Sequence, residues 1–259
     1  MKRSATQPVA IVSAMHDELS KVLELMPDEH KQIRAGREFW LGHLHNQSVV
    51  VVLSGIGKVA AATTATMLIE HFGVGRILFT GVAGALGQNV KVGDMVVADS
   101  FLHHDMDASP LFPRYEIPGY GTTTLKADAK LTQELVQACK YVLAHLTGEI
   151  GEDVVKAFGL HSPQLHQGLV ISGDCFVSTA IASQQLQREL PQALAVEMEG
   201  AAFAQVCHDY GIPFAAVRTM SDRADDDATL DFTRFLIEVA SHYSVRVVDR
   251  WLLTLNNAP

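Results

Sequence analysis

Short apolar runs of strand length recur along this chain, and they show little alternation with polar residues. Val9–Ser13, Phe39–Leu44, Val49–Ser54, Arg76–Thr80, Asp94–Ser100, Gly168–Ser172, Leu194–Glu197 and Phe214–Thr219 are the candidates, most of them rich in Val, Ile and Ala. A strand of that kind must be covered on both faces, because a solvated face would call for polar residues at every second position. The cover lies between the runs. Lys58–His71 carries small and aliphatic residues throughout, while Asp128–Leu146, Gly200–Tyr210 and Phe232–Leu255 place apolar residues three and four apart, the spacing of one helix face. Strands alternating with helices predict an α/β protein with a mostly parallel sheet. Two stretches lack a pattern: the proline- and glycine-containing His103–Thr124, and Thr147–Gln167. The strand pattern resumes after each, so neither reads as a linker. Residues 1–259 are expected to form one domain, with 1–7 as a disordered lead-in.

Composition excludes several classes of function. Hydrophobic residues make up 48% and charged residues 19% of the 259 residues, which is not the composition of a disordered chain. The net charge of −9 opposes binding to a phosphate backbone, so no nucleic-acid partner is expected. The longest purely aliphatic run, Val49 to Leu53, is far too short to span a bilayer. Lys2 and Arg3 are followed by polar residues rather than a cleavable apolar stretch, and a cytoplasmic protein is expected. Cys139, Cys175 and Cys207 are far apart and form no CxxC pair, so neither a disulfide framework nor a zinc site is expected.

Carboxylates follow three of the strand candidates. Val9–Ser13 runs into Met15-His16-Asp17-Glu18, Leu194–Val196 into Glu197-Met198-Glu199, and Phe214–Val217 into Arg218-Thr219-Met220-Ser221-Asp222. If the strands are parallel, their carboxyl ends share the sheet edge where open α/β proteins bind ligands. Crowded, partly buried carboxyl groups there would separate in pKa and serve as acid and base. The alternative is that acids such as Asp17 and Asp222 cap the helices that follow.

Other motifs are less specific. Ser54-Gly55-Ile56-Gly57-Lys58-Val59-Ala60 fits a dinucleotide fingerprint, but the next strand candidate ends in Thr-Gly rather than in an acid for a ribose diol. A tight turn with close helix–strand packing explains the glycines, and the helix N-terminus there can face a polar or anionic ligand. His103-His104-Asp105-Met106-Asp107 contains metal-ligand types, yet neighbours in an extended segment point to opposite faces, so a structural or interface role is expected. Phe176, after Ser172-Gly173-Asp174, is either core or a ring that stacks on a flat heterocycle.

Taken in order, these motifs resemble the 5′-methylthioadenosine/S-adenosylhomocysteine nucleosidases of the purine nucleoside phosphorylase/uridine phosphorylase superfamily. The resemblance runs from Val9 to about Leu255. It is carried by Ala14–Glu18, Ser54–Ala61, Thr80–Gly84, Lys91–Asp94, His104–Asp107, Ser172–Phe176, Ala195–Glu199 and Arg218–Asp222. It implies a three-layer αβα fold around a central mixed, mostly parallel twisted sheet, no metal, no cofactor, an adenine nucleoside substrate and a homodimer. By resemblance, Asp222 is the general acid that protonates N7 of adenine, with Ser221 beside it. Glu18 activates the attacking water. Glu199 and the Met198 backbone hold the ribose hydroxyls. Phe176 stacks on the base, and the Val177 backbone reads its edge. Met15, Ile56 and Phe232 line the ribose and 5′-alkylthio pocket. A partner subunit's Leu111–Pro118 segment closes that pocket.

The sequence departs from the family where Val82 replaces the serine often found in Thr-Gly-Ser-Ala-Gly. That change removes a hydroxyl near the place where the superfamily's phosphorylases hold phosphate. Their first loop also carries an arginine, where this chain has Glu18. Both differences favour water over phosphate as nucleophile. The rival readings are a phosphate-dependent phosphorylase on the same fold and a non-catalytic nucleoside-binding module.

Overall fold

The computed structural model describes residues 7–13, 16–222 and 232–256. The chain begins with β1 (Val9–Ser13), α1 (His16–Leu23), β2 (His30–Arg34), β3 (Arg37–Leu44), β4 (Gln47–Leu53), α2 (Lys58–Glu70), β5 (Arg76–Ala85) and β6 (Met95–His103). It continues through β7 (Leu125–Lys126), α3 (Ala129–Ala144), α4 (Leu146–Ile150), α5 (Glu152–Ala157), β8 (Leu165–Ser172), α6 (Ala180–Glu189), β9 (Ala193–Glu197), α7 (Gly200–Tyr210) and β10 (Phe214–Asp222). The last helix opens as α8 (Phe232–Phe235), widens into a π-helical stretch over Leu236–Ala240 and ends as α9 (Ser241–Asn256).

The local reasons are visible in the sequence. Asp128 caps α3 by accepting from the Leu131 N–H, and Thr179 caps α6 by accepting from Ala182. Gly211, at φ +63°, ends α7 in the left-handed conformation that glycine adopts without steric penalty. Every residue of β1 and β10 is buried, as the unbroken apolar runs require. β2, in contrast, is exposed and polar at most positions, so hydrophobic pattern alone does not reveal it. It exists because β3 supplies an antiparallel partner. β5 continues past the Thr80 end of its strand candidate, through the Thr80–Gly84 segment to Ala85. The unpatterned 147–167 region contains the short helices α4 and α5.

The strands join in the order β10-β6-β8-β9-β5-β1-β4-β3-β2, and β10 also pairs with β5. Five strands (β5, β10, β6, β8, β9) therefore close on themselves, and β1, β4, β3 and β2 extend from β5 as an open wing. The sheet is mixed as expected, but less parallel than expected. β1–β4, β1–β5, β5–β10, β6–β8 and β8–β9 are parallel, whereas β2–β3, β3–β4, β5–β9, β6–β7 and β6–β10 are antiparallel.

Helices cover both faces. On one face, α1, α3 and α9 pack over residues such as Ile11, Val97 and Val217, with the buried Trp251 and Tyr243 among them. On the other, α2 and α7 pack over Val12, Phe79 and Ala216. Within that second layer Phe203 of α7 sits 4.8 Å, centroid to centroid, from Phe79 and 5.9 Å from Phe214. Because Phe203 is fully buried, Phe203→Ala should cost about 3–5 kcal/mol of stability, read as a lowered urea midpoint.

Candidate active site

The strand ends meet by a route other than the one the sequence suggested. β9 runs antiparallel to β5, and the two overlap only near their carboxyl ends, at Gly84–Val196 and Ala85–Ala195. β10 runs parallel to β5 on its other edge and brings Asp222 opposite Gly84. Gly84 therefore has the end of β9 on one side and the end of β10 on the other. Glu199, just after β9, and Asp222, at the end of β10, converge because two strands arrive tip to tip, not because every strand points one way.

A cavity of about 220 Å³ opens at this junction. Its floor is Val82, Ala83 and Gly84 of β5, small enough to let a ligand approach the backbone. Glu197, Met198 and Glu199 form one wall, Ser221 and Asp222 another. Cys175, Phe176 and Val177 line it from the loop after β8, and Ile56 from the glycine turn before α2. The structure thus brings together seven of the residues expected from the sequence: Ile56, Phe176, Val177, Met198, Glu199, Ser221 and Asp222. Met15 lies outside the described residues, as do the side chains of Glu18 and Phe232; the Glu18 backbone is in α1.

The cavity is chemically two-sided. Phe176 is 52% exposed and Ile56 69% exposed, so both present apolar surface at the cavity. Glu199 and Asp222, which line the same cavity, are buried. The Ser221 hydroxyl donates to Asp222 Oδ2 at 2.6 Å, which fixes the carboxyl rotamer. Glu199 Oε1 accepts the Gly57 N–H at 2.9 Å. Gly57 has φ +88°, which favours glycine, and a Cβ there would stand 3.0 Å from Asp174 Oδ1. The helix N-terminus expected to face a ligand is thus engaged by the protein's own carboxylates. Gly57 N–H binds Glu199, and Lys58 N–H binds Asp174 Oδ1 at 2.7 Å.

Beneath this wall lies a charge pair that the reading of the acids missed. Arg218 of β10, 1% exposed, donates from Nη2 to Glu197 Oε2 at 2.7 Å. Its guanidinium also lies over the Phe79 ring at 3.9 Å. Glu197 further accepts from the Ser172 hydroxyl and from the N–H groups of Glu199 and Gly200. The sequence signal was one basic and one acidic residue, each isolated at an otherwise apolar strand. This pair bears on the site. Burial and the Glu197 carboxylate push the Glu199 carboxyl up to about 7, against the pull of the Gly57 N–H and Arg218.

Comparison with known proteins fits this geometry. The model of the family described as "Phosphorylase superfamily" matches residues 8–252. The 5′-methylthioadenosine/S-adenosylhomocysteine nucleosidase of Shewanella putrefaciens is 35% identical over 241 residues, covering 93% of this chain and 96% of that one. Among solved structures, the Neisseria meningitidis nucleosidase of the same name, in complex with methylthio-immucillin-A, is 29% identical. It superposes with a TM-score of 0.83 over 96% of this chain and 99% of that one. The futalosine hydrolase of Helicobacter pylori is 31% identical, with a TM-score of 0.82 over 96% and 98% of the two chains.

The raised Glu199 carboxyl has a consequence for stability. A group that holds its proton more tightly when folded destabilises the folded state once the pH passes its ordinary value of 4.5, with the full cost reached above about 7. Glu199→Gln keeps an acceptor for Gly57 and removes the charge. The variant should gain stability over the parent as pH rises from about 4.5 to 7 and lose that advantage below, measured by urea unfolding across that range.

Proposed function

The chain belongs to the phosphorylase superfamily, and from that premise we propose that it is an N-glycosidase. It hydrolyses 5′-methylthioadenosine, S-adenosylhomocysteine and related 5′-substituted adenine nucleosides and releases adenine. The observation that carries this reading is one cavity lined both by a half-exposed aromatic ring, Phe176, and by three buried carboxyl residues, Glu197, Glu199 and Asp222.

The chemistry follows from what each group supplies. As the N-glycosidic bond breaks, positive charge builds on the sugar and negative charge on the leaving base. Asp222 gives a proton to N7 of adenine, so the base leaves neutral; general acid catalysis of this kind contributes about 10²–10⁴-fold. Ser221 holds the Asp222 carboxyl in the orientation for that transfer. Glu199 takes hydrogen bonds from the ribose hydroxyls and stabilises the cationic sugar. Glu18, from α1, accepts a proton from the water that attacks the anomeric carbon. Phe176 stacks on the purine and Val177 contacts its edge through the backbone, while Met15, Ile56 and Phe232 border the 5′ substituent. Val82 offers no hydroxyl to a phosphate on the cavity floor, which supports water as nucleophile.

The protein acts as a homodimer in this proposal. Ile56 and Phe176 at the cavity, and Leu111 at 84% exposed in the segment before Pro118, are large apolar side chains facing outward. A second subunit would cover such groups. Tyr115 and Arg114 bond to Glu189 of α6 at 2.7 and 3.0 Å, which holds that segment in place to present Leu111. No helix among the described residues is long and apolar enough to cross a membrane.

Adenine should appear from 5′-methylthioadenosine in phosphate-free buffer, with free 5-methylthioribose as co-product and no rate increase on adding phosphate. Turnover that requires phosphate would make the protein a phosphorylase, and binding without turnover would make it a nucleoside-binding module. Asp222→Asn and Glu18→Gln should each lose at least roughly 10²-fold in kcat while remaining folded. Sedimentation of the full chain should give twice the monomer mass of 28.1 kDa; a monomer at assay concentrations would sink the dimer.

A further inference from the structure

Three residues from distant parts of the chain close a ring of hydrogen bonds beside the cavity. Lys58, the first residue of α2, places Nζ 2.5 Å from Asp105 Oδ1. Asp105, just after β6, accepts the Asp174 N–H on Oδ2 at 2.9 Å. Asp174, just after β8, accepts the Lys58 N–H on Oδ1 at 2.7 Å. Each member is bonded to the other two.

The ring adds little to the stability of the fold. The Lys58 and Asp105 side chains retain 18% and 31% exposure, and partly solvated ion pairs contribute little. Its consequence is geometric. Asp174 stands two residues before Phe176, and Phe176 is 52% exposed, so packing does not by itself fix where that ring sits. The backbone leading to it is fixed by Asp105 and by α2. The same turn of α2 holds Glu199 through the Gly57 N–H at 2.9 Å. The aromatic platform and the carboxylate wall are thus both referenced to one turn of backbone.

We propose that Lys58 and Asp105 are positioning residues for base recognition: acting through Asp174, they set the Phe176 ring at the separation from Glu199 and Asp222 that an adenine must bridge. This rests on the reading of Phe176 as the ring that stacks on the base. Neither residue touches the substrate. Their loss should weaken the hold on the base and leave the hold on the sugar intact.

The test uses the full chain and three variants, Asp105→Ala, Lys58→Met and Phe176→Ala. Inhibition by adenine alone and by 5-methylthioribose alone is measured, together with kcat and KM for 5′-methylthioadenosine. Asp105→Ala and Lys58→Met should each weaken inhibition by adenine about three- to fivefold, the ceiling set by the small energy of a partly solvated pair. KM should rise by a similar factor with a smaller change in kcat, and 5-methylthioribose inhibition should stay within about twofold, as sugar contacts are untouched. The double variant should be no worse than either single one, because each opens the same ring. If Asp105→Ala does not fold, Lys58→Met decides. Equal weakening toward adenine and 5-methylthioribose would mean general loss of the site and overturn the proposal. Adenine binding that is weakened by Phe176→Ala but normal in the two ring variants would overturn it while leaving the stacking role intact. Unchanged adenine binding in Phe176→Ala would overturn the stacking role and the positioning role together.

Discussion

The site depends on one buried ion pair. Arg218 and Glu197 meet at 2.7 Å with almost no solvent, between the strand that ends in Asp222 and the strand that leads to Glu199. Isolated, either charge would be prohibitive at that depth. Together, with the Ser172 hydroxyl and two backbone N–H groups completing the Glu197 carboxylate, they are tolerated. Removing one partner of such a pair costs about 3–5 kcal/mol, because the other is left unpaired. The pair ties β8, β9, β10 and the start of α7 into one junction. It also fixes the electrostatics of the cavity: Glu197 is the like charge that helps push the Glu199 carboxyl up, and Arg218 the opposite charge that limits the shift.

Closure of the sheet makes that junction possible. In an open parallel sheet the acids would be spread along an edge at strand spacing. Here β10 pairs with both β5 and β6, and β9 meets β5 from the opposite direction. Two chain segments then end within one cavity, and the small residues of β5 between them leave space for a ligand. The glycine turn before α2 completes the arrangement. Its N–H groups hold Glu199 from one side and Asp174 from the other, so the polar wall and the apolar face keep a fixed separation.

Much of this was legible in the sequence, for identifiable reasons. Strands buried on both faces leave unbroken Val, Ile and Ala runs, so β1, β4 and β10 could be read directly. Phe176 could be read as a large apolar residue in loop-like surroundings, and Glu199 and Asp222 as acids next to apolar strands, whereas Ile56 was reached only through the family resemblance. The strand β2 could not be read, because an exposed edge strand is defined by its partner rather than by its own pattern. The strand candidate stopped at Thr80 because the Gly and Ala that follow lower strand propensity, yet pairing with β10 as far as Gly84 keeps the segment extended. The roles of Lys58, Asp105 and Asp174 were equally hidden, since a charge in a loop has the same appearance whether it is solvated or bound.

The sequence by itself determined which segments would be strands covered on both faces, which residue types could do acid–base chemistry, and the family that their order matches. These are local properties, carried by hydrophobic period and residue chemistry within a few positions. Tertiary structure alone decided that β9 opposes β5, that the sheet closes, that Glu197 belongs to Arg218 rather than to the cavity chemistry, and that the α2 N-terminus binds protein carboxylates. Strand direction and burial depth are properties of the packed whole. The energy of a charge depends on the groups brought to it from more than a hundred residues away, as Glu199 and Gly57 show.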